Sequence, residues 1–238
     1  MSYLRIFSSR SEYDSANMPN GIVGLIKENE DDRGSVVYWK DTSLYEWVDL
    51  GLPSGLKWAT CNVGATKPEE YGLYFAWGET QGYTGITDEK QFTWTGGDYK
   101  WCADDNGDTM AKYNETDGLT TLESVDDAAT ATDSGCRMPT EDECEELMMN
   151  TSSEWVDDYN GTGVAGRVFT SNVNSNSIFV PAAGICDNGI VHVVGQGACL
   201  WSSSLSSSGV RFAFYLDSAG DVDYDGRCIG LPVRPVKL

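Results

Sequence analysis

Positive charge is scarce in this chain, histidine occurs once, and long apolar runs and C-x-x-C pairs do not occur. Each shortage removes a class of function. Sixteen Lys and Arg face 37 Asp and Glu across 238 residues, a formal net charge of −21 with a pI near 4.1. Such a surface repels a phosphate backbone, so no nucleic-acid partner is expected. No stretch reaches the roughly 18 apolar residues a membrane-spanning helix requires. The opening MSYLRIFSSRSEYDSANMP lacks the basic-then-apolar order of a signal peptide, so neither membrane insertion nor ordinary secretion is expected.

With one histidine, any Ser-His-Asp or Cys-His centre would have to use His192. It alternates within NGIVHVVG, the setting of a strand residue more than of a general base. The cysteines (61, 102, 136, 144, 186, 199, 228) are odd in number and scattered. That argues against both a zinc site and a disulfide framework, and predicts mostly reduced, small apolar side chains. GATKPEE, with Lys67, lacks the G-x-x-x-x-G-K-[ST] of a phosphate loop. Asn-x-Ser/Thr at Asn114, Asn150 and Asn160 has no secretory signal to make it useful. No reaction is legible, so the expectation is a protein that is not an enzyme and carries no cofactor or metal.

What is present is enough apolar matter, 40% of residues, to bury a real core. Residues 1 to about 45 read as a small β-rich attachment module, with LRIFSSRSEYDSA, GIVGLIKENE and the strand-like SVVYWK. From Tyr45 onward short apolar runs are punctuated by Gly, and with aromatics at 11% this suits a turn-rich fold with few long helices. One helix is clear in RMPTEDECEELMMN: Thr140 as N-cap, Glu143 completing a capping box, and Cys144, Leu147 and Met148 as the apolar stripe. GRVFTS, SIFVPAAGI, GIVHVVG, ACLWSSS, VRFAFYL and PVRPV then read as strands.

Two acidic stretches imitate cation sites. DVDYDG (221–226) has the first half of a calcium loop, but position 12, where a bidentate Glu belongs, is Pro232. A polar surface turn between strands is the favoured reading. DDNGD (104–108) follows Trp101 in a loop and is expected to be solvated.

WVDLGLPSGLKWATCNVGATKPEEYGLYFAWGET (47–80), TTLESVDDAAT (120–130), CRMPTEDECEEL (136–147), SIFVPAAG (177–184), WSSS (201–204) and GLPVRPV (230–236) resemble, block by block and in order, the paralogous C-type-lectin-like domain of gut-bacterial and bacteriophage proteins. The resemblance covers about 47–238 and implies an α+β, β-rich C-type-lectin-like fold with few helices and long loops over 46–238. That family is distantly similar to the formylglycine-generating enzyme, whose paired cysteines and metal sites have no counterpart here, so its activity is not carried over. Residues 1–45 resemble a segment at the start of bacteriophage virion proteins, which implies a virion component.

The C-terminal stretch is similar to the variable region of diversity-generating retroelement proteins, whose recoded Asn codons never yield Glu, Lys, Gln, Met or Trp. From Cys199 to Val236 there is no Glu, Lys, Gln or Met, and the one Trp is Trp201 of WSSS. The resemblance implies a variable region of about 199–231. Trp201, Ser202, Ser203, Ala213, Leu216, Gly220, Arg227, Gly230 and the closing VRPV would be scaffold, with Arg227 or Arg234 tying strands to carbonyls or carboxylates. The implied ligand-binding face is Cys199, Leu200, Leu205, Ser207, Val210, Arg211, Phe212, Phe214, Asp217, Asp223, Tyr224, Asp225, Cys228 and Ile229. Phe212 and Phe214, at period two, fit equally a displayed face or one core-facing row.

The function so implied is a variable receptor-binding or surface-displayed virion protein. Its partner would be a host-cell surface ligand, protein or glycan, with homo-oligomerisation as a source of avidity. Two alternatives stand beside it: a structural virion or cell-surface module without a diversified site, and a calcium-dependent lectin using Asp104, Asp105 and Asp108 or Asp221, Asp223 and Asp225.

Overall fold

The fold is that of a computed structural model, which describes residues 5–7, 24–26, 36–38 and 44–238 apart from 87, 88, 95, 96, 105 and 218. The chain divides into two compact units, Met1–Leu44 and Tyr45–Leu238. In the first, β2 (Gly24–Ile26) lies between β1 (Arg5–Phe7), to which it runs parallel, and β3 (Val36–Tyr38), to which it is antiparallel. The rest of the attachment-like module lies outside the described residues.

The second unit is β-rich with little helix. β4 (Trp47–Asp49) and β5 (Lys57–Ala59) form a sheet with β16 (Val236–Lys237), Val236 standing opposite Trp58, so the first and last strands of the unit lie together. β6 (Tyr74–Phe75) pairs with β15 (Leu231–Pro232). Two antiparallel meanders make up most of the rest. One is β7 (Thr151–Val156), β8 (Gly166–Ser171) and β9 (Ser177–Pro181). The other is β12 (Leu200–Leu205), β13 (Phe212–Leu216) and β14 (Val222–Gly226), and between the two stands the hairpin of β10 (Ile185–Asp187) and β11 (Ile190–His192).

Helix α1 (Ala128–Thr132) is short, its N-terminus capped by Asp127. Helix α2 (Glu141–Asn150) has the expected capping box: Thr140 Oγ1 accepts from Glu143 N–H at 3.3 Å, and Glu143 accepts from Thr140 N–H at 2.9 Å. Arg137 closes it with a forked pair of bonds to Glu143 at 2.7 and 2.5 Å. Cys144 and Leu147 are buried against Trp58, Phe169, Leu200, Leu216 and Val236, while Met148 packs at the edge of the same cluster. A second cluster, around Trp77, Tyr113, Phe92, Trp201 and Tyr215, fills the other part of the unit.

Two strand expectations are corrected. PVRPV is not one strand: β15 ends at Pro232 and β16 begins at Val236, and neither Pro232 nor Pro235 offers an N–H to a ladder. GIVHVVG stops at His192 because Val193 takes the left-handed region, φ 50°, and turns the chain. All seven cysteines are free thiols, and all but Cys102 are buried.

Candidate ligand-binding site

The sheet β12–β13–β14 follows from alternation. Ala213 and Tyr215 point to the aromatic core, where Tyr215 stands opposite Trp201. Phe212, Phe214 and Leu216 point the other way. On that side Leu216, with Leu200 opposite it, is covered by the α2 cluster, and Phe214 and Phe212 run on past it, half-buried. Tyr224, opposite Phe214, meets both phenylalanines edge to face, with ring centres 6.4 and 5.6 Å away.

The scaffold beneath is fastened through polar atoms. Trp201 donates its indole N–H to Phe75 O at 2.8 Å and Trp77 to Ser202 O at 2.9 Å. Ser202 Oγ donates to Phe214 O at 2.8 Å. Arg227 is fully buried; its Nε–H goes to Tyr99 Oη (2.8 Å), and its Nη groups go to the carbonyls of Val210 (2.7 Å), Tyr113 (3.1 Å) and Lys112 (3.1 Å). Arg234 is buried likewise, donating to Asn62 Oδ1 (2.8 Å) and to the carbonyls of Ala59, Thr60 and Phe179 at 3.0, 3.0 and 2.9 Å. Burial draws the Arg234 guanidinium down to about 10, so it is still charged at neutral pH.

At the Phe212–Asp225 end of this sheet opens a cleft of about 750 Å3. The sheet side of its wall is Arg211, Phe212, Asp225, Gly226, Cys228 and Ile229; the end of β10 supplies Asp187, and loops supply Phe92, Thr93, Trp94, Asn106 and Asn188. Three devices hold those loops. Asn188 (φ 48°) and Gly189 (φ 72°) make the Asn-Gly turn of the β10–β11 hairpin, which sets Asp187 at the rim. The Trp94 loop is drawn inward by Glu79, which is ion-paired with Lys90 and accepts Lys100 N–H at 2.9 Å. Gly230 lets the Phe92 ring settle on the backbone, since a Cβ there would stand 2.6 Å from it.

The third loop is DDNGD. The Asp104 carboxylate accepts the Thr109 hydroxyl and the N–H groups of Asn106, Asp108 and Thr109, and these bonds, the hydroxyl foremost, hold it down to about 2. Asp105 lies outside the described residues. Asp108 pairs with Arg211 at 3.2 Å, and the Arg211 guanidinium lies 5.2 Å over Trp94.

Of the positions expected on a displayed face, Arg211, Phe212 and Asp225 line the cleft half-buried, and Cys228 and Ile229 line it while buried in the aromatic cluster. Phe214 and Tyr224 continue outward from Phe212. Ser207 and Asp223 are exposed, Ser207 in the β12–β13 turn. Leu205 and Val210 are half-buried against the aromatic core. Asp217 caps the β13–β14 turn, accepting from Ala219 and Asp221 N–H at 2.7 and 3.0 Å, at the end remote from the cleft. Cys199 and Leu200 are corrected: both are buried, Cys199 in the aromatic cluster and Leu200 under α2, where their apolar side chains belong.

DVDYDG is not a turn but enters β14, so Asp223 and Asp225 stand two residues apart on one strand face, roughly 7 Å along the chain. Among the described residues no three His, Cys, Asp or Glu are arranged to hold a metal ion.

The cleft residues that sequence reasoning missed, Phe92, Thr93, Trp94, Asn106, Asp187 and Asn188, come from loops and the end of β10, far from the C-terminus in the chain. Asn188-Gly189, a hairpin turn signal, was the legible one. Comparison of the chain with protein-family models, with curated proteins and with solved structures finds no match.

Proposed function

We propose that this chain is a non-enzymatic ligand-binding protein: a retroelement-diversified receptor-binding or surface-displayed bacteriophage virion protein that presents variable residues on a C-type-lectin-like scaffold. One observation carries the reading. Arg211, Phe212, Asp225, Cys228 and Ile229, variable positions that the family resemblance implies, border one cleft, while Trp201, Ser202, Arg227 and Arg234, which it implies as scaffold, are buried with most of their polar bonds going to main-chain carbonyls. Exchangeable side chains over a fixed frame are what repeated recoding requires. The pairing of β16 with β5, closing the unit on itself, supports the scaffold assignment. Tyr, Phe and Arg together suit recognition of a host-cell surface ligand, aromatic rings giving area at low entropic cost and Arg giving directed bonds.

The test combines Arg211, Phe212, Phe214, Tyr224, Asp225 and Ile229 in one recoded variant set drawn from the restricted alphabet. Cooperative folding with melting temperatures within several degrees of the parent, and altered capture of host cells, is expected. Unfolding across the set overturns the reading. Sequencing the DNA beside the gene is the second arm: a reverse transcriptase and a near-copy of the 3′ end with Asn codons at these positions are expected, and their absence would favour a purely structural module.

A further inference from the structure

The cleft carries an electrostatic imbalance that says something about its occupant. Its charged lining groups are Asp187, Asp225 and Arg211. Arg211 is stacked over Trp94 and bonded to Asp108 through Nη1, while its Nε is buried without a partner. Among the described residues neither Asp187 nor Asp225 forms an ion pair. Asp225 accepts only the N–H of its neighbour Gly226, at 2.6 Å. Burial pushes the Asp225 carboxyl above the usual carboxylate range, and the charges of Asp187 and Asp223 push it the same way. Two like charges thus share one aromatic-walled space without a cation between them.

We infer that the cleft takes a cationic side chain, a lysine or arginine of the partner, seated between Asp187 and Asp225 with its methylene stem along the aromatic wall. A lysine or arginine has the matching shape: an apolar stem for the rings and a charged head for the carboxylates. The net charge of −21 draws cations toward the whole surface; the walls restrict binding to this place. The positive charge of Arg211 in the same cleft opposes a cation there. This inference rests on the proposed binding face and names the chemistry it recognises.

The experiment is an NMR titration of the folded chain with Nα-acetyl-lysine methylamide at fixed ionic strength, against the same compound acetylated on Nε and against a neutral methyl glycoside. Saturable shifts at Gly226, Asn188 and Asn106 with millimolar affinity are expected for the amine, at least about tenfold weaker for the neutral forms. Asp187→Asn with Asp225→Asn removes the response, and should the pair fail to fold, Asp187→Asn alone, at an exposed site, weakens it several-fold. Arg211→Gln tightens amine binding. Equal response to the Nε-acetyl compound or the glycoside, or loss of amine binding in Arg211→Gln, overturns the inference. If the cleft ignores the amine while the recoded set stays folded and captures cells, only the cation chemistry falls; if that set unfolds, the proposed face falls with it.

Discussion

Phe214 and Tyr224 meet edge to face across neighbouring strands, ring centres 6.4 Å apart and planes at 88°, on the side of the sheet turned away from Trp201. A pair so placed contributes on the order of 1 kcal/mol beyond its area. Replacing both with Ser is expected to lower unfolding free energy by about 1–2 kcal/mol, whereas Trp201→Ala costs about 3–5 kcal/mol. Urea denaturation followed by tryptophan fluorescence, with an unchanged slope for the double variant, checks the contrast.

Alternation alone left Phe212 and Phe214 as either core or face, because the other row of VRFAFYL, Arg211, Ala213 and Tyr215, mixes a charge with a small and an aromatic side chain. What decides is Ala213: small enough to sit flat in the aromatic core beside Trp201, it gives the inward row to Ala213 and Tyr215. The helix was legible because its cap and stripe are local, all within Thr140–Met148. The cleft was half legible. Its sheet side lies in one contiguous stretch with a restricted alphabet, but its loop side depends on Glu79 reaching Lys90 and the Lys100 backbone, and on Asp104 gathering its own loop. Such loop closures leave no periodicity. Leu200 was misplaced for a related reason: a family resemblance marks a position in the chain, not which way a strand residue faces.

Removing Arg227 should be severe. Arg227→Met keeps the bulk but strands three carbonyls and removes the donor to Tyr99 Oη, which keeps its bond to Trp77 O, and each buried unsatisfied group costs about 1–3 kcal/mol. A loss of at least about 3 kcal/mol is expected, against less than about 1 kcal/mol for the half-exposed Arg211→Met. Paired denaturation curves measure it.

Glu79 and Lys90 are both nearly buried, with side-chain exposures of 9% and 7%. Lys90→Met alone leaves a buried carboxylate uncompensated and is expected to cost about 3–5 kcal/mol. Adding Glu79→Gln should restore much of that, and the size of the recovery in a double-mutant cycle is the coupling of the pair. Loosening this clamp should also blur the NMR signals of the Trp94 loop before it affects β7–β9.

Asp225 makes a pH prediction with a definite sign. Its carboxyl is raised in the folded chain, by burial first and then by Asp187 and Asp223, so folding favours the protonated form. Its stabilising contribution is complete below the unfolded value and is lost as pH rises through the folded one. Asp225→Asn should therefore melt higher than the parent near pH 7, and the gap should close at about pH 3. Melting curves across that range decide it; an equal or lower melting temperature at pH 7 contradicts the assignment.

Apart from Tyr99 and Asn62, every acceptor that Arg227 and Arg234 reach is a main-chain carbonyl. Every amino acid carries that group, so these rivets do not register what the residues they grip are called. Val210, a position of the expected variable set, holds Arg227 through its oxygen alone, and any residue put there can do the same. A frame riveted this way is blind to the side chains of the residues it grips.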